Sequence, residues 1–213
     1  NGTLVDSMIH DGLWDPYNDY HMGIAGELCA KEHHFSREAQ DEFAVASYRK
    51  ALAAQESKAF ASELASVTIE GKAPVTVSED EEPKRVKFDK IPTLRPAFDK
   101  AGTITAANAS KINDGAAALI LASGNAVESR GLKPLARIVS YGAHAQAPEW
   151  FTTAPIGAIR AACARAQLDV SDIDLFEINE AFAVVAMVAA RDLNIPAEKL
   201  NVRGGAIALG HPI

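Results

Sequence analysis

The chain is short of the residues that most directly announce a chemistry. Only two of its 213 residues are cysteine, Cys29 and Cys163. So far apart, they give neither a disulfide framework nor zinc spacing, and they fit a reducing compartment. Basic residues are outnumbered, 21 against 28 acidic, for a net charge of −7. No polybasic footprint therefore argues for nucleic acid. No apolar run is long enough to span a bilayer. Nothing has the pattern of a phosphate-binding glycine loop, and His10 and His144 have no partners at metal spacing. His33 and His34 are adjacent on a helix and cannot face one ligand together. With 48% hydrophobic and 23% charged residues, what remains is an ordinary globular composition. Alanine is abundant, which suits closely packed helices.

A first helical piece is expected around Val5–Ile9, followed by turn signals at Asp11-Gly12 and Asp15-Pro16. His21-Met22-Gly23 opens a helix running to about His33. Ser36 is a good N-cap for a long second helix, with Glu38, Asp41 and Glu42 placed favourably for its dipole. Phe43, Ala44, Ser47, Tyr48 and Ala51 recur at helical spacing and predict one small-residue face with two aromatics. A short helix is expected at Phe60–Leu64, and strands at Val67–Ile69 and Pro74–Val77 around Glu70-Gly71-Lys72. Ser78 to Lys90 is a charged passage that reads as exposed loop. Thr105-Ala106-Ala107-Asn108-Ala109-Ser110 is a run of small residues against which a ligand could lie along the main chain. From about residue 113 strands alternate with helices, predicting an α/β layered core. The strands are Ala116–Ala122, Leu135–Tyr141, Ile173–Ile178 and Leu200–Val202. The helices are Ser123–Arg130, Pro155–Gln167 and Ala181–Leu193.

Two constellations could carry chemistry. The first is Gly210-His211-Pro212, after the apolar run Ala206–Leu209. Histidine titrates near neutral pH without help. Here it stands between the most and the least flexible of backbones, which fixes one imidazole at the end of a buried element. The second is Asn179-Glu180, where a strand hands over to a helix, the place where open α/β sheets put ligands. Spacing alone leaves a plainer alternative, with Asn179 capping the helix and Glu180 compensating its dipole. Cys29 and Cys163 lie among alanines, where a free cysteine acts as a small hydrophobe.

Asn179-Glu180-Ala181-Phe182 and Gly204-Gly205-Ala206-Ile207-Ala208-Leu209-Gly210-His211-Pro212 resemble the two signature blocks of the thiolases. His21-Met22-Gly23 and Thr105–Ser110 resemble two more, in the family's order. The likeness covers essentially all 213 residues and is nearest to the acetoacetyl-CoA branch of mitochondrial type. It implies an α/β thiolase fold, layered α/β/α/β/α, of which this chain would hold one part. Residues 1–112 would be the CoA-binding loop domain, 113–122 the returning strand of the first half, and 123–213 the opening of the second half. The nucleophilic cysteine is expected before Asn1 and the acid/base cysteine after Ile213. The chain is thus expected to be an internal fragment, inactive alone.

The implied reaction moves an acetyl group between coenzyme A thioesters, joining two acetyl-CoA into acetoacetyl-CoA and CoA, with no covalently bound cofactor. By the same resemblance, His211 activates the thiol and donates to the thioester oxygen, and Asn179 holds a water that donates beside it. His21 and Met22 touch the pantetheine arm. Ala106, Ala109 and Ser110 wall it, Ala181 and Phe182 close the channel, and Lys84 and Arg85 lie near the nucleotide phosphates. Phe151 borders the acyl pocket. The resemblance further implies a potassium ion held by Tyr48, by the carbonyls of Ala106, Ala107 and Ala109, and by Ile207. It implies a homo-oligomer, dimer or tetramer, in the mitochondrion. The competing reading is a thiolase-like protein that binds acyl-CoA or lipid without turnover; a purely structural domain would have no CoA affinity.

Overall fold

The computed structural model describes residues 2–212; Asn1 and Ile213, the ends of the chain, lie outside the described residues. The first helical element is a π-helical turn at Met8–Leu13, which overlaps the expected Val5–Ile9 piece only at Met8 and Ile9 and runs through the expected turn at Asp11-Gly12. Two short antiparallel strands follow, β1 (Trp14–Asp15) and β2 (Tyr20–His21). Helix α1 (Met22–Glu32) begins directly on His21, whose Nδ1 accepts the Gly23 N–H at 3.0 Å. Helix α2 (Arg37–Glu56) starts as its cap signal predicts, with Ser36 Oγ accepting from Ala39 N–H. Its small-residue face is real: Ala44, Ser47, Tyr48, Ala51 and Ala54 are all buried.

Beyond α2 the expected helix at Phe60–Leu64 is a series of turns. Its backbone bonds are isolated, such as Glu63 N–H to Phe60 O, and its side chains are mostly exposed, so no face anchors a helix there. Strands β3 (Val67–Ile69) and β4 (Val75–Val77) form the predicted hairpin. The charged passage folds its basic end into one turn of helix, α3 (Glu82–Arg85). Helices α4 (Gly124–Ser129), α5 (Ala154–Ala166), α6 (Ala183–Leu193) and α7 (Ala206–Leu209) complete the chain, with a 3-10 turn at Pro148–Thr153 leading into α5.

The layered sheet expected after residue 113 is not assembled among the described residues. Ala116–Ala122 and Leu135–Tyr141 carry no strand pairing, and Leu119, Ile120 and Leu135 are almost fully exposed. A ladder needs a neighbouring strand for its N–H and C=O groups, and no strand among the described residues pairs with them; only the end of the second segment meets α5, where Ser140 Oγ donates to Ala162 O and Arg165 to Tyr141 O. Ile173–Ile178 and Leu200–Val202 do meet, but through one parallel bridge, Phe176 to Leu200. Phe176 N–H donates to Lys199 O and Asn201 N–H to Phe176 O, both at 2.8 Å. At the next rung a side chain takes over. Asn201 Oδ1 accepts from Ile178 N–H and its Nδ2 donates to Ile178 O, each at 2.8 Å. The amide does the work of a peptide, and the ladder stops there.

The core gathers round α6. Val184, Ala186, Val188 and Ala189 are sealed from solvent, packed with Cys29, Ile104, Phe176, Ile178, Leu193 and Leu200. Each buried valine or leucine is worth about 1.5–3 kcal/mol relative to exposure. A second cluster joins the alanine face of α2 to α7 through Tyr48, Ile207 and Ala208. The two clusters hold the entrance of α6 and the end of α7 side by side. No helix of the described residues is long and apolar enough to cross a membrane.

Candidate active site

His211 follows α7 through Gly210, whose φ of +102° belongs to glycine. A β-carbon there would stand 2.3 Å from the Asn113 side chain. The His211 N–H then donates to Lys111 O at 2.8 Å. These contacts fix the imidazole before any ligand arrives. Its Nε2 accepts a hydrogen bond from Asn179 Nδ2 at 3.1 Å, across 32 residues of sequence. The helix-cap alternative for Asn179 does not hold, because α6 begins only at Ala183, with Phe182 at its cap and no side-chain cap bond. Asn179 is free of capping duty, exposed, and directed at His211.

Glu180 is not a dipole-compensating surface acid either. It is 1% exposed. Ser47 Oγ donates to its Oε2 at 2.7 Å, Ile207 N–H to the same oxygen at 3.1 Å, and Asn201 Nδ2 to Oε1 at 2.8 Å. One carboxylate therefore ties α2, α7 and the Phe176–Leu200 bridge together. Burial pushes its pKa above the ordinary carboxylate range, while the bonds from Asn201, Ser47 and Ile207 oppose that rise. Ser47 Oγ also accepts the Gly205 N–H at 3.0 Å.

Glu180 also explains Gly205. A β-carbon there would fall 2.4 Å from Glu180 Cδ and 2.6 Å from each carboxylate oxygen. The φ of −142° suits any residue, so the demand is for space alone. Gly205→Ala should cost about 1–3 kcal/mol, the usual range for overpacking, since Glu180 is bonded on three sides and cannot swing away. A urea midpoint unchanged in the intact protein would contradict this.

The predicted wall is contiguous. Ala109 bridges Phe182, Ser110 N–H donates to Ala181 O at 3.0 Å, and Ala183 N–H donates to Asn108 O at 2.9 Å. Phe182 meets Phe98 edge to face at 5.7 Å, and Phe98 stacks on the His21 ring at 4.8 Å. Burial lowers the His21 pKa, favouring the neutral ring. Met22, half-buried, is the first residue of α1. Phe98 was not legible as a site residue, being one aromatic in a loop.

Three supports of this wall also escape sequence reading. Glu27 accepts from Thr103 N–H and Ile104 N–H at 2.8 Å. Asn108 is fully buried, its Oδ1 accepting from Thr105 N–H and its Nδ2 donating to Asp41. Asp41, expected to serve the helix dipole, is instead buried and paired with Arg37, which also holds the Leu94 and Ile91 carbonyls.

Other expected residues are placed elsewhere. The partners of Lys84 and Arg85 are acidic residues of their own run: Glu79 for Lys84, Glu81 and Glu82 for Arg85. Phe151, half-buried, packs against the α6 core from the turn before α5. Cys29 and Cys163 are buried, and burial raises the Cys29 pKa; neither is a hydrogen-bond partner of His211. Tyr48 and Ile207 share one cluster, Ala107 and Ala109 are buried, and Ala106 is exposed. The Ala106 and Ala109 carbonyls accept hydrogen bonds from Lys111.

An imidazole and a carboxamide converging over a glycine turn, beside a wall of small residues, is the arrangement the resemblance implies. The family model for the thiolase N-terminal domain matches residues 1–125, and that for the thiolase C-terminal domain matches residues 132–213. The chain belongs to the thiolase family. A probable acetyl-CoA acetyltransferase of Dictyostelium discoideum is 54% identical over this whole chain, which spans 52% of that protein. An acetyl-CoA acetyltransferase of Schizosaccharomyces pombe is 48% identical, again over the whole chain and 55% of the relative. The thiolase chain thus spans about half the length of these curated relatives. Among solved structures, the Acat5 thiolase of Ascaris suum in complex with coenzyme A superposes with a TM-score of 0.95 at 45% identity, over 99% of this chain and 55% of that one. The Bacillus anthracis acetyl-CoA acetyltransferase gives 0.96 at 39% identity, over 100% and 54%. The thiolase fold therefore holds even though the core sheet is not assembled among the described residues.

Proposed function

We propose that this chain is the CoA-binding and oxyanion-stabilising part of an acetyl-CoA C-acetyltransferase. The observation that carries the reading is the His211–Asn179 pair, 3.1 Å apart and exposed at the end of the small-residue wall. Its relatives' names, acetyl-CoA acetyltransferase, and the coenzyme A bound in the Ascaris suum thiolase support it.

The chemistry follows from the residues. His211 Nε2 accepts from Asn179, so this nitrogen carries no proton, and once it exchanges the Asn179 N–H for a thiol the same lone pair can take the thiol proton. The resulting thiolate attacks the thioester carbonyl, splitting one hard step into two. Negative charge then develops on the thioester oxygen. The protonated Nε2–H donates to that oxygen, and Asn179 donates beside it, directly or through a held water. Expulsion of CoA leaves an acyl-cysteine. The acid/base cysteine, having given its proton to the departing CoA, takes one from the methyl group of a second acetyl-CoA, whose carbanion attacks the acyl carbon; acetoacetyl-CoA forms and the nucleophilic thiolate leaves, regaining its proton from His211. Both thiols belong, in this reading, to the part of a thiolase sequence that residues 1–213 do not span. His21, Phe98 and Phe182 form an aromatic floor, and the small side chains of the Ala106–Ser110 wall leave room for an extended pantetheine arm. The same reading carries homo-oligomeric assembly and a mitochondrial location, which rest on the family resemblance.

The test is acetoacetyl-CoA thiolysis by the full-length protein, with acid-quench trapping of an acetyl-enzyme. Acetoacetyl-CoA should be cleaved faster than long-chain ketoacyl-CoA, as the resemblance to the acetoacetyl-CoA branch implies. Tight CoA binding with neither thiolysis nor a trapped acetyl group would favour binding without turnover.

A further inference from the structure

Lys111 folds back over the small-residue loop that precedes it. Its Nζ donates to Ala106 O, and to Ala109 O at 3.3 Å. The same ammonium stands 5.7 Å from the centre of the Tyr48 ring, within range of a cation–π attraction. Tyr48 is 3% exposed and packs with Ile207, which is sealed completely. Burial raises the Tyr48 pKa to about 12, so the phenol stays neutral. The Ala106 and Ala109 carbonyls, Tyr48 and neighbouring Ile207 are four of the five groups that the resemblance assigns to potassium.

A potassium ion does not fit this arrangement. It would need those carbonyl oxygens turned towards it, and two are already accepting from an ammonium. A second unit charge about 4 Å from the first would be repelled by about 4 kcal/mol at an effective dielectric of 20. Glu82 is the acid that acts on Lys111 electrostatically, and it also pairs with Arg85.

We propose that Lys111 is a tethered replacement for a monovalent cation, its ammonium filling the carbonyl-and-tyrosine cage that a potassium ion would otherwise occupy. An ammonium and a potassium ion are alike in charge and close in size, and both are satisfied by carbonyl oxygens and an aromatic face. The tethered one cannot diffuse away. Its backbone extends the consequence, because Lys111 O accepts the His211 N–H at 2.8 Å. One residue thereby fastens the Ala106–Ala109 loop with its side chain and the imidazole with its main chain. Lys111 is a positioning residue that touches no reacting atom. Burial lowers its pKa and Glu82 opposes that shift. The proposal rests on the geometry of the cage, so it can stand or fall apart from the acetyl-transfer reading.

The experiment is thermal unfolding of the full-length protein in potassium chloride and sodium chloride at equal ionic strength. Wild-type midpoints should coincide. In Lys111→Ala the midpoint should fall in both salts, and added potassium should recover part of the loss along a saturable curve while sodium does not. Lys111→Ser should behave alike. A variant that folds only in potassium supports the proposal; one that folds in neither salt contradicts the exchange of cations. Potassium-specific stabilisation of the wild type, or none in variants that fold, would overturn it.

Discussion

His211→Ala in the full-length protein should lower acetoacetyl-CoA thiolysis by at least about a hundredfold, the usual loss for removing one oxyanion donor. A general base adds roughly a further hundredfold or more where the same ring performs both tasks. CoA affinity should change little. The wall formed by Ala109, Ser110, Ala181 and Phe182 is fastened by its own backbone bonds, and none of those bonds uses the imidazole. The loss should therefore fall on kcat, with KM nearly preserved, the signature of an interaction made in the transition state. Asn179→Ala should fall less, because it removes a donor and leaves the base. The measurement is steady-state thiolysis with calorimetry of CoA binding to the same preparations. Near-normal turnover in His211→Ala would remove the central element of the proposed mechanism.

How far these features are legible in the sequence depends on the reach of the interaction. Local signals read well. Ser36 opens α2, His21 opens α1, and the alanine spacing of α2 gives its buried face, because caps and helical periodicity are settled within a few residues. The strands after residue 113 read as strands because apolar runs are local too, but pairing is not. Leu119–Leu121 and Leu135 have the pattern of buried strands and no neighbour among the described residues. In the site, Asn179 and His211 are identified through motif resemblance, since nothing in their separate surroundings announces that they meet. Lys111 carries no local sign of its role. It ends a stretch whose small residues drew attention, and its ammonium is explained only by carbonyls two and five residues earlier and by a ring on α2. Glu180 stays ambiguous in the sequence for a related reason. Its position near the start of α6 suggests a surface acid, while its partner Ser47 lies 133 residues earlier.

Glu180→Ala should be the most destabilising single change at this centre. Removing the carboxylate leaves the Ser47 hydroxyl, one Asn201 N–H and the Ile207 N–H without their acceptor in a site that is 1% exposed. Each buried group left unpaired costs about 1–3 kcal/mol. The total should be on the order of 3 kcal/mol or more, allowing for water entering the vacated space. Glu180→Gln should cost less but not nothing. Asn201 cannot turn its amide to suit, because both its ends are engaged by Ile178. A glutamine NH₂ facing Asn201 Nδ2 would set donor against donor, and only the Oε2 side would be preserved.

The pH dependence separates the charge from the shape. The folded-state pKa of Glu180 lies above its ordinary value of 4.5, chiefly because of burial. The native state then holds its proton over a window where the unfolded chain has lost it. The stability owed to that proton is fully present below about pH 4.5 and is lost as pH rises through the folded pKa. Glu177 is raised as well, first by burial and then by the Glu180 charge, so the two titrate in the same direction. Glu180→Gln should flatten the decline of stability with rising pH above 4.5, leaving only the share of Glu177 that its own burial causes, since the Glu180 charge is gone. Urea midpoints of wild type and Glu180→Gln across that range measure the difference. Parallel slopes would mean that burial does not raise the Glu180 pKa against its three donors.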